Sequence, residues 1–186
     1  MFKQIEEHII LAKNIDIEMI KEIASLAAIA IKNGNKILIF GNGGSAADAQ
    51  HFAAELVGRF QSERKAYPAI ALTTDTSAIT AIANDYGYEY VFSRQVDALA
   101  AKEDVVIGIS TSGNSLNVMH GLRAAKDKEC FTVLMTGDKK NTISSEFADY
   151  VMNVDSSNTA RIQEMHILIL HLIAEEVENI NAPYEF

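Results

Sequence analysis

Apolar residues recur every three to four positions over residues 3–32, which is the spacing of an amphipathic helix. The rhythm breaks near residues 14–16, where the side chain of Asp16 can cap the start of a second helix. Gly34 follows the last apolar turn and is expected to end that helix. The pattern therefore predicts two helices before the first strand.

Short apolar runs farther along have the length and the Gly or polar boundaries of buried parallel strands. They are KILIF (36–40), AIAL (69–72), DVVIGIS (104–110), CFTVLMT (130–136) and YVMNV (150–154). Helical patterns alternate with them at 46–57, 76–84, 89–100 and 116–126, as a single turn at 142–148, and as a long closing helix at 159–179. This alternation predicts one α/β/α domain over residues 1–186, with a five-stranded parallel sheet and extra helices at both ends.

The closing helix, with the sequence ARIQEMHILILHLIAEEV, is apolar over more than one face. A surface helix needs only one apolar stripe, so the excess predicts burial between subunits and hence an oligomer. A helix packed centrally within one subunit is the alternative that the pattern leaves open.

A formal net charge of −9 on 186 residues argues against nucleic acid or an acidic membrane surface as the main partner. The N-terminus lacks the layout of a signal peptide, and the apolar run at 167–174 is too short to span a bilayer. Cys130, the only cysteine, lies in an apolar run and is expected to be an inert buried thiol. A chain without a disulfide framework fits a reducing cytoplasm.

A glycine cluster, GNGGSA (41–46), follows the first predicted strand and fits the relaxed dinucleotide pattern G-x-G-x-x-A. A dinucleotide site also needs an acid for the ribose about 20 residues on, and Asp75 stands after the next strand but farther along than that. Three interpretations stay open: an anion-binding turn at a helix N-terminus, an NAD site, and a plain tight turn.

A second polar loop, STSGNS (110–115), follows the third predicted strand and carries four hydroxyl groups. Hydroxyls and the first amides of the next helix can both donate to phosphate, so an acidic protein can bind phosphate there without lysine. The alternative is a Ser/Thr helix cap with a solvated turn, although a cap uses only one such residue. Ligands of open parallel sheets bind beyond the carboxyl ends of the strands, where both loops are predicted.

His51 and Glu55 are four residues apart and face one side of the helix that the glycine cluster opens. Gln163 and His171 lie on the closing helix, about 12 Å apart along its axis and about 80° apart around it. All four can reach one point only if their side chains lean inward, the helix is irregular, or two chains contribute. The remaining histidines are interpreted as core or surface residues: His8, His120 and His166.

Three further polar residues have two interpretations each. Asn84 and Asp85 either end a helix in a turn or hydrogen-bond sugar hydroxyls. Arg59, the sole positive charge near His51 and Glu55, either contacts phosphate or is a surface arginine.

These residues lie in stretches that resemble the phosphoheptose isomerases, within the larger sugar-isomerase (SIS) family. The matching stretches are GNGGSAADAQHFAAELVGRF, YPAIALTTD, AIANDYGYEYVFSRQV, GISTSGNSLNV and RIQEMHILILH, spread over nearly the whole chain after residue 35. STSGNS alone marks only the SIS family, whereas HFAAE, the ND pair and the RIQE…H helix together are much narrower.

The resemblance implies a flavodoxin-like fold of five parallel strands and a homotetramer with sites at subunit contacts, in which residues 1–34 serve oligomer packing. It implies conversion of sedoheptulose 7-phosphate to D-glycero-D-manno-heptose 7-phosphate, for nucleotide-heptose synthesis in lipopolysaccharide core or capsule. It also implies one zinc ion per subunit. The implied zinc ligands are His51, Glu55, Gln163 and His171, and the implied acid/base pair is Glu55 and His171. The implied substrate contacts are Asn42, Gly43, Gly44, Glu55, Asn84, Asp85 and Gln163, with phosphate on Ser110, Thr111, Ser112 and Ser115.

The chemistry of the implied reaction suits these residue types. Ketose–aldose exchange moves a proton between C1 and C2 through an enediol, with a base for the proton and an acid or a metal at the carbonyl. Glu55 can be the base if burial raises its basicity, and His171 can serve the oxygens. A carboxylate bound to zinc is a poorer base, so we expect Glu55 to alternate between ligand and base.

Two other functions stay open at this point. One is a non-catalytic SIS protein of the type that associates with a replication initiator, which has no need for Glu55, Gln163 and His171 together. The other is an isomerase of a different sugar phosphate, which only product analysis distinguishes.

Overall fold

Five parallel strands form one sheet in the computed structural model of the chain, which describes residues 2–138 and 142–181. The strands are β1 (Ile37–Gly41), β2 (Ala69–Ala71), β3 (Val105–Ile109), β4 (Phe131–Thr136) and β5 (Tyr150–Asn153). Their order is β2-β1-β3-β4-β5, and every pairing is parallel. All residues of β1 and β3 are buried, which explains why these strands are continuous apolar runs. The predicted fold class is confirmed.

Helices cover both faces of the sheet. They are α1 (Phe2–Lys13), α2 (Ile17–Lys32), α3 (Gly44–Val57), α4 (Thr76–Tyr86), α5 (Ser93–Leu99), α6 (Leu116–Asp127) and α7 (Thr159–Asn181). Ile37 and Ile39 of β1 point into a core shared with α2, α3 and α7, whereas Leu38 and Phe40 point into a core shared with α5 and α6. This alternation follows from the two-residue period of a strand and gives the three-layer arrangement.

Most predicted boundaries agree with the structure within two residues. Asp16 caps α2 as predicted, with its carboxylate accepting from the backbone N–H of Met19 at 3.0 Å. The helix predicted at 89–100 is wrong in extent: a 3₁₀ turn at Tyr88–Tyr90 precedes the shorter α5. Phe92 lies between the two, and its buried ring stacks on Phe40 with centroids 4.8 Å apart. A 3₁₀ turn at Ser145–Phe147 lies within the predicted turn 142–148.

The closing helix α7 packs against α1, α2 and α3 of the same chain. Its buried apolar residues face this core, and Ile167, Leu168 and Leu172 pack against it while partly exposed. Packing within one subunit therefore accounts for the apolar faces of α7, as the alternative interpretation held. The oligomer stays a prediction. Among the described helices, none combines the length and the apolar composition that a bilayer crossing requires.

The register of the sheet places the two polar loops side by side. Gly41 at the end of β1 pairs with Ile109 at the end of β3, so the loops that follow these strands begin next to each other. Connections leave β1 and β3 toward opposite edges of the sheet, which makes this position the switch point where such folds bind ligands.

Candidate functional site

The glycine cluster at 41–46, which forms the glycine loop, allows α7 to approach the start of α3. Gly43 has φ +58°, a conformation that favours glycine, and it precedes the first residue of the helix. A Cβ atom on Gly44 would lie 2.5 Å from Nε2 of Gln163, so only glycine leaves room for that amide. Gln163 therefore lies against the N-terminus of α3.

Asn42 is held by neighbours that sequence reasoning did not single out. Its amide exchanges hydrogen bonds with Asn117 at 2.9 and 2.8 Å, and the Tyr88 hydroxyl donates to its Oδ1 at 3.0 Å. These bonds join the loop after β1 to α6 and to the 3₁₀ turn. Asn117 and Tyr88 lie inside the stretches that resemble the family, but neither their spacing nor their residue type predicts a hydrogen bond to Asn42.

Residues 110–115 form the hydroxyl loop, whose serine side chains make hydrogen bonds within the loop itself. The Ser110 hydroxyl donates to Oγ of Ser115 at 3.1 Å, and Ser112 accepts from the backbone N–H of Asn114 at 3.2 Å. Ser115 occupies the N-cap position of α6 but makes no capping bond with its side chain. A helix cap therefore does not account for this hydroxyl. A cavity of about 150 Å³ adjoins the loop, and its lining contains an acid as well as hydroxyls: Thr111, Ser112, Asp138, Ser157, Thr159 and Ile162.

Two histidines and a glutamate meet between α3 and α7. Nε2 of His51 lies 2.9 Å from Oε1 of Glu55 and 3.1 Å from Nε2 of His171. The side chains of His51 and Glu55 are 48% and 25% exposed, so a ligand can reach them from solvent. The ring of Phe60 stacks on His171, with centroids 5.6 Å apart and planes 20° apart.

This group has the composition and spacing of a metal site. One donor atom from each of His51, Glu55 and His171 lies within 4.8 Å of the others. A single nitrogen of His51 faces both neighbours, and one nitrogen carries at most one proton, so it cannot donate fully to both. Lone pairs of imidazole and carboxylate that converge in this way suit a divalent metal ion. The three residues could therefore hold a metal.

Gln163 lies at the other end of the same helix pair. The Gly44–Gln163 contact and the His51–His171 contact are separated by seven residues on α3 and eight on α7, or about 10–12 Å of helix. The two helices thus run side by side in the same direction. The structure brings three of the four predicted residues to one point and places the Gln163 amide beside the glycine loop.

The remaining predicted residues lie on exposed surface. Asn84 and Asp85 lie in the last turn of α4, where the Asn84 amide donates to Asp85 at 2.8 Å. Arg59 is exposed and lies 3.9 Å from Glu63. Asp75 caps α4 by accepting from the backbone N–H of Ala78 at 2.9 Å, which accounts for the acid that the dinucleotide interpretation would assign to a ribose.

One further acid stands near the metal-competent group. Asp48 lies one turn before His51 on α3, and burial raises the pKa of its carboxyl while the nearby His51 opposes that change. Its Oδ2 is buried without a hydrogen-bond partner among the described residues. Sequence reasoning did not single out Asp48, because an acid on an Ala-rich helix is typical of exposed surface.

Comparison with known proteins places the chain in a family. The SIS domain model matches residues 2–137. A phosphoheptose isomerase of Aliarcobacter butzleri is 56% identical over 162 residues, covering 87% of this chain and 85% of the relative. One of Aquifex aeolicus is 54% identical over 163 residues, covering 88% and 85%. The chain belongs to the phosphoheptose isomerase family.

A solved structure extends the likeness to the whole fold. The phosphoheptose isomerase of Neisseria gonorrhoeae superposes with a TM-score of 0.88 at 44% identity, covering 95% of this chain and 96% of that one. The family resemblance predicted from the sequence is therefore confirmed. As a member of the phosphoheptose isomerase family, the chain has its two polar loops and its His/Glu/His group within a fold shared over nearly its full length.

Proposed function

We propose that the protein is an aldose–ketose isomerase that converts sedoheptulose 7-phosphate to D-glycero-D-manno-heptose 7-phosphate. The observation that carries this proposal is the His51–Glu55–His171 group, which lies about 10 Å along α3 from the glycine loop. An extended seven-carbon sugar phosphate has a comparable length. Its phosphate would then lie beside the two polar loops and its carbonyl beside this group.

The phosphate end is assigned to the hydroxyl loop. Ser110, Thr111, Ser112 and Ser115 offer hydroxyl donors, and α6 begins directly after them, so its first backbone amides can also donate to an anion. Neutral donors of this kind bind an anion without adding a cluster of positive side chains to a chain of net charge −9. Asn42, Gly43, Gly44 and Gln163 are proposed to contact the sugar next to this loop, and Asn84 and Asp85 its hydroxyls.

The carbonyl end is assigned to Glu55 and His171. Glu55 takes the proton from C1 or C2 and returns it to the neighbouring carbon, while His171 moves a proton between the two oxygens. A zinc ion on His51, Glu55 and His171, when bound, supplies Lewis-acid polarisation of the carbonyl. Gln163 as a fourth ligand stays a prediction, because its amide lies against Gly44.

The homotetramer, the cytoplasmic location and the role in lipopolysaccharide core or capsule belong to the same proposal. Two features support subunit contacts that include residues 1–34 and the site. Apolar side chains of α1 are exposed, among them Phe2 at 82% and Ile10 at 58%. The structure describes all of α4, and none of its residues is buried within the chain. Asn84 and Asp85, two proposed substrate contacts, lie on this helix, so a neighbouring subunit would be needed to enclose them.

The test is incubation with sedoheptulose 7-phosphate, with the aldose product followed by chromatography and NMR. We expect Glu55→Gln and His171→Ala to keep the fold and to lose at least about 100-fold in kcat, the usual contribution of positioned acid–base groups. Glu129→Gln is the matched control, because Glu129 pairs with Lys102 on exposed surface at the amino ends of β3 and β4, away from this group. Wild-type turnover by either site variant would refute its role, and turnover of other sugar phosphates alone would refute the substrate.

A further inference from the structure

A buried ion pair ties the end of α3 to α7 directly beyond the His51–Glu55–His171 group. Glu178 of α7 and Arg64 of the loop after α3 have side chains only 4% and 7% exposed, and Nε of Arg64 donates to Glu178 at 2.8 Å. Glu178 also accepts from the backbone N–H groups of Phe60, Gln61 and Ser62 at 2.9, 3.0 and 2.9 Å. One carboxylate thus holds three consecutive amides of the loop.

The guanidinium of Arg64 closes the C-terminal end of α3. It donates to the backbone carbonyls of Glu55 at 2.7 Å, Leu56 at 2.9 Å and Gly58 at 3.3 Å. Carbonyls in the last turn of a helix have no partner within the helix, and a cation there also suits the helix dipole. The guanidinium lies over the ring of Tyr67, 3.9 Å from its centroid, which further fixes its plane. Arg64 therefore fixes the main chain at Glu55 itself.

Phe60 connects the same ion pair to the second histidine. Its backbone N–H is held by Glu178, and its ring stacks on the imidazole of His171. An imidazole confined on one face by an aromatic ring loses much of its rotational freedom. The ion pair thus reaches Glu55 through Arg64 and His171 through Phe60.

We propose that Phe60, Arg64 and Glu178 are positioning residues that hold Glu55 and His171 at the separation needed to bind a metal ion and to transfer protons. The inference rests on the proposed function, since that function gives Glu55 and His171 their roles. A purely structural role is the alternative. It is testable because the chain contains a comparable ion pair elsewhere.

The comparable pair is Lys36 and Asp104. Asp104 is fully buried, accepts from Nζ of Lys36 at 2.7 Å, and accepts from the backbone N–H groups of Lys36 and Ala101 at 3.0 and 2.7 Å. It precedes β3, at the amino ends of the strands, whereas the candidate site lies beyond their carboxyl ends. Asp104→Asn therefore damages a buried carboxylate network without touching the site.

The experiment measures Co²⁺ and Zn²⁺ affinity by competition with a chelating dye, together with the melting temperature of each full-length variant. We expect Glu178→Gln and Phe60→Leu to lose about 10- to 100-fold in metal affinity, the usual effect of removing groups that orient metal ligands. Phe60→Tyr keeps the ring and is expected to keep wild-type affinity. Asp104→Asn is expected to lower the melting temperature and to leave metal affinity unchanged.

Kinetics of the metal-loaded variants provide a second readout. Phe60→Leu is expected to lower kcat and to leave KM near the wild-type value, because the hydroxyl loop is unchanged.

Wild-type metal affinity and kcat in Phe60→Leu and in folded Glu178→Gln would overturn the proposal. So would an affinity loss in Asp104→Asn equal to theirs. If Glu178→Gln does not fold, the Phe60→Leu and Phe60→Tyr pair decides. A wild-type protein that binds metal but leaves sedoheptulose 7-phosphate unchanged refutes the proposed function, while the affinity series still tests the positioning role.

Discussion

Single residues in the site are constrained by close approach more than by their own chemistry. Gly44 is the clearest case, because the amide of Gln163 occupies the space that a side chain would fill. Asn42 is another, since Asn117 and Tyr88 engage its amide. A small change to either residue is therefore expected to shift a side chain that is proposed to contact the sugar.

Gly44→Ala is expected to keep the fold and to lose activity. Alanine favours a helix by about 1 kcal/mol over glycine, so stability should not fall. The new methyl group displaces Gln163, and a misplacement of about 1 Å can reduce kcat/KM by about 100-fold. Steady-state kinetics check this. In a double-mutant cycle, adding Gly44→Ala to Gln163→Ala should cause little further loss; additive losses would contradict the displacement.

Pairs of elements create the chemistry that neither element contains. His51 and Glu55 need only α3, and their spacing predicts their proximity. His171 joins them because α7 lies along α3, a packing between residues 120 positions apart. The same helix α7 is fixed to the sheet by His166, which is fully buried and whose Nε2 lies 3.2 Å from the Thr136 carbonyl at the end of β4.

The contact between α7 and β4 makes stability depend on pH. Burial lowers the pKa of His166 from 6.5 to about 4, against a smaller opposing effect of the Thr136 hydrogen bond. The folded pKa is below the unfolded one, so this stabilisation is complete above the unfolded value of about 6.5 and is lost as pH falls toward about 4.

His166→Gln should remove that dependence. Between neutral pH and pH near 5, the free energy of unfolding of the wild type should fall by about 2 kcal/mol more than that of the variant. Urea denaturation at the two pH values measures the difference. His8→Gln serves as the control on a partly exposed histidine. An equal pH dependence in wild type and His166→Gln would show that the imidazole is not held neutral by burial.

At the scale of the whole molecule, helix α1 leaves apolar side chains exposed that packing within the chain does not cover. Four large apolar side chains of α1 are exposed: Phe2 at 82%, Ile5 at 54%, Ile9 at 46% and Ile10 at 58%. Clustered apolar exposure of this kind is typical of an interface between proteins. A second copy of the chain is the occupant that the proposed tetramer assigns to it.

Ile9→Glu combined with Ile10→Glu should reduce the size of the assembly. A charge on each side chain opposes burial in an interface, so light scattering should detect a smaller species. Activity should fall with it if the sites lie at subunit contacts. Leu99→Glu, on α5 at the other face of the sheet and 42% exposed in the wild type, is the control and should leave assembly unchanged. An unchanged mass for the α1 variant would contradict packing through this helix.

Sequence patterns predicted what depends on local periodicity. The apolar runs predicted β1 and β3, and the i, i+4 spacing predicted that His51 lies near Glu55. The polar loops after the two strands predicted the edge of the sheet at which the candidate site lies. The break at Phe92 was missed because the contact of its ring with Phe40, 52 positions away, is not visible in the local pattern. Arg64 and Glu178 were missed because they are 114 positions apart and each alone resembles a surface charge.

The side-by-side course of α3 and α7 has a consequence for which sugars can react. In the proposed site, the length of α3 sets the distance between the group that contacts the carbonyl and the loops that contact the phosphate. A sugar phosphate with a shorter carbon chain would leave one of its two ends unbound. Substrate length is then measured by backbone geometry, so selectivity should survive changes to most side chains that touch the sugar.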